Sequence, residues 1–260
     1  MPRRAVLTRP QGRNEALAGL LAGAGWEVLP LPALALEPLP RAGPPPLPQD
    51  YDLVVFVSGN AARLYLDQAT AYLTGGWPAA TPIAVVGPAS AQALRASTLI
   101  GADTTVLHPS ADAAAHDSEA LWHILSRMQP LRRVLLVRGT QGRDWLAERL
   151  VSEGAEVVRH ALYRRRPAAW PAGATATLQA WASQAAPAVW LLTSGEGIAA
   201  TAAAVRAADL QDWWRACRFV VTHPRLAEPL RAAAGGGAQA PMVKICVPAD
   251  EAIFEAFAAV

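Results

Sequence analysis

Tyr163 closes the extended run Glu156–Tyr163 and is followed at once by Arg164, Arg165 and Arg166. A phenol placed there can donate a proton or a hydrogen bond to a departing hydroxyl. A tyrosine packed at a domain junction is the other reading. Two hydroxyl-bearing turns follow apolar runs: Ser58-Gly59-Asn60 after Leu53–Val57, and Thr193-Ser194-Gly195 after Val189–Leu192. Serine at the start of a helix caps it, and the amides freed there can also hold a carboxylate; the two roles are compatible. Two loops carry paired arginines, Arg9-Pro10-Gln11-Gly12-Arg13 and Arg138-Gly139-Thr140-Gln141-Gly142-Arg143. Each precedes a helical pattern, so each reads as an anion site or as a solvated turn with helix-end salt bridges. Gly87-Pro88-Ala89-Ser90 and Thr222-His223-Pro224-Arg225 end two more apolar runs.

Other chemistry finds little support. Gly-x-Ser-x-Gly, the dinucleotide fingerprint Gly-x-Gly-x-x-Gly and the Walker loop are all absent, and no Ser/His/Asp set can be assigned. His108, His116, His123, His160 and His223 are scattered, and Cys217 and Cys246 are isolated, so no metal set and no disulfide framework is expected. Of the histidines only His223 falls at a strand end facing the expected ligand.

The elements that must position these residues are duplicated. Arg3–Leu36 and Arg132–Arg166 are near copies, with a one-residue slip in the loop and another at the helix start. Arg4/Arg133, Leu7/Leu136, Arg9/Arg138, Gly12/Gly142, Leu17/Leu146, Gly25/Gly154 and Glu27/Glu156 are among the identical pairs. Val189–Gly195 matches the stretch ending at Asn60, and Phe219–Arg225 matches Val85–Ser90. So long a period means two similar domains and not a solenoid.

Short apolar runs alternate with helical patterns along the whole chain. Strands are expected at Ala5–Leu7, Tyr51–Val57, Ile83–Val86, Val189–Leu192, Phe219–Thr222 and Val243–Val247, with a weaker one at Thr104–Leu107. Helices are expected from Leu17 to Gly23 or Gly25 with Asn14 as cap, after Asn60, over Ala91–Leu94, Ser118–Met128 and Leu178–Ala182, after Arg225, and over Ala252–Ala259, with a turn at Ala234–Gly237. This order predicts an α/β fold with parallel sheets and right-handed crossovers. Ligands bind beyond the carboxyl ends of such strands, where every loop above lies, so two domains would present a ligand cleft between them. The segment Pro30–Pro48 holds eight prolines, which excludes a helix and marks an inter-domain crossing.

Composition bounds the rest. A chain of 260 residues that is 52% hydrophobic and 17% charged suits two globular domains. A net charge of +2 advertises no nucleic-acid partner. Of 23 basic residues only Lys244 is lysine; the arginine excess reflects genome composition or a carboxylate-rich ligand. The apolar run after Arg3-Arg4 is too short for a signal peptide, and no stretch is long enough for a membrane span, so a cytoplasmic protein is expected.

The ordered set Thr8-Arg9-Pro10, Phe56–Ala61, Val86–Ser90, Val137-Arg138-Gly139, Gly154–Val157, Tyr163-Arg164 and Leu192-Thr193-Ser194 resembles the uroporphyrinogen-III synthase family and covers nearly the whole chain. The resemblance implies two flavodoxin-like or Rossmann-like domains joined by a two-stranded β-ladder. The first would comprise residues 1–37 plus 165–260, and the second, 38–164, would be inserted in it. The crossing strands would be Pro30–Glu37 and Glu156–Tyr163. The resemblance also implies cyclisation of linear hydroxymethylbilane to uroporphyrinogen III with loss of water and inversion of the last ring, by a monomer that needs no metal and no cofactor. Tyr163 then matches the tyrosine that assists hydroxyl departure. Ser58, Ser90 and Ser194 match hydroxyl positions of the family's site. Arg9, Arg13, Asn60, Gly87, Arg138, Gly139, Thr193, His223 and Arg225 are the accompanying candidates for holding the substrate's carboxylates. His223-Pro224-Arg225-Leu226 departs from the family's usual Gly-Pro-Thr-Thr, and Pro229 in the next helix is unusual.

Two other readings compete. One is a two-domain cleft protein that binds an anionic metabolite without chemistry. The other is a nucleotide-sugar transferase, disfavoured by the short chain and the missing nucleotide loop.

Overall fold

A computed structural model of the chain describes residues 3–40, 43–110, 117–128, 130–235 and 241–260. His116 and half of the turn expected at Ala234–Gly237 lie outside these residues. The chain divides into two compact units, one of Met1–Leu36 with Arg166–Val260 and one of Glu37–Arg165. It passes between them twice, in neighbouring strands of one sheet.

In chain order the first elements are β1 (Arg3–Leu7), α1 (Glu15–Gly23), β2 (Trp26–Pro30) and β3 (Leu34–Pro38). The inserted unit continues with β4 (Leu53–Phe56), α2 (Gly59–Ala69), β5 (Ile83–Val85), α3 (Pro88–Arg95) and β6 (Val106–Leu107). Then come α4 (Ser118–Leu125), β7 (Arg133–Gly139), α5 (Trp145–Ser152) and β8 (Glu156–Pro167). The chain returns through α6 (Ala172–Ser183), β9 (Val189–Leu192), α7 (Gly195–Ala207), α8 (Gln211–Ala216) and β10 (Arg218–Val221). It ends with α9 (Ala227–Ala234), β11 (Met242–Ile245) and α10 (Asp250–Ala258).

The five-stranded sheet has the order β11-β10-β9-β1-β2, with every pair parallel. Its strands are apolar on both faces because both are covered. Val6, Trp190, Leu192, Phe219 and Val221 point to one side, with Leu178, Trp181, Val205 and Trp214. Ala5, Leu7, Val189, Leu191 and Val220 point to the other, with Leu17, Leu21 and Phe257. Each fully buried Val, Leu or Phe contributes about 1.5–3 kcal/mol.

The six-stranded sheet has the order β3-β8-β7-β4-β5-β6. Four of its pairs are parallel. The exception is β3 on β8. Ala168 donates its N–H to Ala33 and Leu39 donates to Leu162, so one strand ascends while the other descends. Leu53, Val55, Val134 and Leu136 face α4 and α5 through Leu121, Leu146 and Leu150. Phe56 instead stacks with Tyr65 and Trp77.

Register makes the duplication explicit. Arg4 opposes Glu27 in β1/β2, and adding 129 to both gives Arg133 opposite Glu156 in β7/β8. The strand orders β11-β10-β9-β1-β2 and β6-β5-β4-β7-β8 correspond one to one.

Four local expectations are corrected. Asn14 precedes α1 in a helical conformation and its side chain accepts no cap hydrogen bond. Its amide donates instead to Arg9 O. The crossing strand expected over Pro30–Glu37 is shorter: β2 ends at Pro30 and β3 begins only at Leu34, because Leu31 and Ala33 are held by Leu7 O and Thr8 O. Tyr163 does not end its strand, since β8 runs to Pro167 against β3. The helix α8 was not anticipated; its six residues, Gln-Asp-Trp-Trp-Arg-Ala, are too few for a periodic signal. Pro229 is tolerated as the third residue of α9, where the amide has no intrahelical acceptor.

Candidate functional site

In the inserted unit the functional side chains gather at the carboxyl ends of β4, β5 and β7 and beside them on β8. Ser58 ends the β4 strand-to-helix turn in extended conformation, and its Oγ accepts from Ala61 N at 3.1 Å, capping α2. The same Oγ lies 3.0 Å from Tyr163 Oη. The partial positive charge at the α2 N-terminus favours negative charge developing on an oxygen there. Ser90, the third residue of α3, has its Oγ 3.4 Å from where a Cβ on Gly59 would stand. Gly87 is the residue before α3, and Asn60 is the second residue of α2.

Tyr163 owes its place to a β-bulge. Arg138 opposes Ala161 but Gly139 opposes Tyr163, so Leu162 is the extra residue. A bulge re-aims the side chains that follow it. Here Leu162 and Tyr163 are consecutive and both buried, Tyr163 at 7% exposure. Its carbonyl accepts from Thr140 N at 2.8 Å. Its ring lies directly over Gly139.

Arg138, on the strand and not in the loop, is itself buried. Its guanidinium pairs with Asp144, and it donates to Gly142 O at 2.8 Å and Gly139 O at 3.1 Å. These bonds shape the loop that seats Tyr163 and occupy the guanidinium internally. Beyond Tyr163, Arg164 makes a two-pronged contact with Glu37 on β3, at 2.9 and 2.6 Å. Arg143 similarly clasps Glu119 at 2.7 and 2.8 Å, which depresses the Glu119 carboxyl below its usual range.

The other unit repeats the plan without the phenol. Ser194 caps α7 by accepting from Gly197 N at 3.0 Å, and Thr193 precedes it, half-buried. Arg9 donates to Asp250, in the first turn of α10, at 2.5 Å and to Arg13 O at 3.2 Å. Arg13 is exposed. His223 Nδ1 accepts from Arg225 N at 3.1 Å, so its proton sits on Nε2, and the ring caps the short turn Pro224–Leu226. Arg225 is exposed.

Of the candidates, the structure gathers Ser58 and Gly139 about Tyr163 with Arg138 bonded to Gly139 O, and otherwise joins only neighbours within a loop, Arg9 to Arg13 O and Arg225 N to His223. Sequence reasoning missed Asp144 and Asp250, the carboxylates that engage Arg138 and Arg9. Asp144, six residues after Arg138, was a signal within the loop; Asp250, 241 residues from Arg9, left none.

Two α/β units of matching strand order, the second entered and left through neighbouring strands, define a duplicated two-unit α/β protein with its candidate loops at the strand ends. The family model for Uroporphyrinogen-III synthase HemD matches residues 15–240. The chain belongs to the uroporphyrinogen-III synthase family. Solved structures of like fold include a uroporphyrinogen III synthase from the extreme thermophile Thermus thermophilus, in a selenomethionine mutant form. It is 17% identical at a TM-score of 0.55, covering 99% of this chain and 98% of that one. Another is the uroporphyrinogen-III synthetase of Helicobacter pylori 26695, 14% identical at a TM-score of 0.57, covering 99% of both chains. Among the described residues no helix is long and apolar enough to cross a membrane.

Proposed function

We propose that the chain cyclises linear hydroxymethylbilane to uroporphyrinogen III, losing water and inverting the last ring, as a lyase of porphyrin and haem biosynthesis. The observation that carries this reading is the buried Tyr163 phenol within hydrogen-bond reach of Ser58, at the N-terminus of α2. The phenol protonates the departing hydroxyl, which leaves as water. The pyrroles delocalise the resulting cation, and closure of the ring returns one proton, so the phenol ends as it began. Folding the chain so that the correct carbons meet then supplies much of the remaining acceleration.

The substrate's carboxylates suit the Ser58- and Ser194-capped helix starts and the exposed cations Arg13 and Arg225. Asn60, Gly87, Ser90, Thr193 and His223 complete the binding set in this reading. Arg9 and Arg138 act from their internal pairs by shaping the two arginine loops. Residues 1–37 with 165–260, and 38–164, are the two domains of a cytoplasmic monomer.

The test is a cyclisation assay. Purified protein is added to freshly made hydroxymethylbilane, and the product is oxidised and its isomers separated. Predominantly type III product above the spontaneous type I background is expected. Type I product alone, from protein shown to be folded, overturns the reading and leaves a non-catalytic binder of an anionic metabolite.

A further inference from the structure

We propose that Gly139 is the positioning residue for the Tyr163 phenol: its missing side chain is the seat of the ring. The inference rests on the proposed role of Tyr163, but its geometry stands alone. A Cβ built on Gly139 would lie 2.8 Å from Tyr163 Cε2, 3.0 Å from Cζ and 3.3 Å from Cδ2. Its three nearest neighbours are thus all on one edge of this ring. The backbone of Gly139 is not in the left-handed region, so an alanine can adopt it. The three closest contacts are therefore all with the phenol.

Three other contacts leave the ring little freedom. The bulge places Tyr163 opposite Gly139. Its carbonyl is tied to Thr140 N. Its hydroxyl meets Ser58 Oγ at 3.0 Å, and Ser58 is itself held by the α2 cap. With Gly139→Ala the ring must retreat by roughly 0.7–1.2 Å to reach the ordinary carbon–carbon contact of about 3.5–4.0 Å. That retreat moves the phenol relative to Ser58, whose position does not depend on Gly139. Misplacing a catalytic group by about 1 Å costs on the order of 100-fold in rate. Gly139 would thus matter without touching substrate.

A double-mutant comparison tests this in the full chain. Gly139→Ala should lower kcat by on the order of 10- to 100-fold with KM little changed, and should add nothing in the Tyr163→Phe background. Equal losses in both backgrounds would make Gly139 a substrate contact or a merely structural residue and overturn the proposal, as would wild-type kcat in Tyr163→Phe. A second readout does not need turnover. In protein whose tyrosines carry a carbon-13 label at Cζ, Tyr163→Phe identifies one of four tyrosine signals, and Gly139→Ala should shift that signal alone. An unmoved signal overturns the seat. A shifted signal in a protein that makes no type III isomer keeps the seat and removes the reaction. Where Gly139→Ala alone does not fold, Gly139→Ala with Tyr163→Leu should, because the ring supplies the methyl's three closest contacts; failure of that pair also refutes the proposal.

Discussion

Ser58 and Ser194 occupy equivalent places in the two copies, and only one of them touches a phenol. Leu53 opposes Val134 in the second copy as Val189 opposes Ala5 in the first, and five residues further on stand Ser58 and Ser194. Each caps an α-helix, with bonds of 3.1 and 3.0 Å. Replacing either by alanine should remove one cap, worth about 1 kcal/mol within a range of roughly 0.5–2. For cooperative units of this size that corresponds to a fall in Tm of roughly 2–8 °C in both variants. The added loss differs. Ser58→Ala also removes the hydrogen bond to Tyr163, and a bond of about 0.5–1.5 kcal/mol at a reacting group is roughly 2- to 12-fold in kcat. Ser58→Thr keeps the hydroxyl and should restore both quantities. Thermal unfolding and isomer-resolved initial rates, run on the same preparations, separate the two effects. Equal Tm losses with kcat unchanged in Ser58→Ala would refute a role for the hydroxyl pair in the chemistry, and so would a kcat loss that Ser58→Thr does not recover.

Other parts of the structure make independent predictions. Arg138→Met leaves Gly139 O and Gly142 O without their donor and Asp144 with only the longer Arg159 contact at 3.8 Å, and should cost about 2 kcal/mol by urea unfolding, with Asp144 half exposed and its share discounted accordingly. Burial lowers the His160 pKa below its ordinary value, and its Nε2 is buried with no protein partner. The unfolded imidazole takes up a proton as pH falls through about 6.5 while the folded one resists. Stability should therefore drop below that pH, and His160→Gln should flatten the dependence of Tm on pH. The Cys217 thiol is buried and pushed up to about 12, whereas Cys246 is half-buried. Native protein should give one accessible thiol to a disulfide reagent at pH 8, and a second only on unfolding.

Much of the architecture was legible because both faces of each sheet are covered. That makes the strands Leu53–Phe56 and Val189–Leu192 continuous apolar runs that no other element imitates. The repeat carried the strand correspondence, since Arg4/Glu27 and Arg133/Glu156 are identical pairs in matching register. What escaped was set by long-range geometry. Asp250 reaches Arg9 from the far end of the chain. The bulge at Leu162 shifts pairing by one residue, a change that leaves no mark on composition. The Arg138 side chain was readable as a cation but not as one already engaged, because strand burial, and not residue type, decides that. Gly139 was legible as a residue of the arginine loop; its contact with a ring 24 residues later was not.

The duplication shows which features the two copies do not share. The two copies keep one register from Arg3/Trp26 through Leu7/Pro30 and from Arg133/Glu156 through Arg138/Ala161. The two sequences part after Arg9 and Arg138. After Arg9 the first copy has Pro10, and after Arg138 the second has Gly139. Where the second copy inserts the bulge and then Tyr163, the first has Ala33-Leu34 with no hydroxyl. A proline opposite a tyrosine would bring a ring carbon to the place the phenol fills, and an unbulged strand would aim the side chain elsewhere. The glycine, the extra residue and the phenol therefore stand together in the second copy. The serine-capped helix, by contrast, is common to both copies, because holding an anion and capping a helix ask the same thing of a strand-to-helix turn. In the proposed reading, the asymmetry between the copies puts the proton chemistry in the inserted unit and leaves binding as the property both copies share.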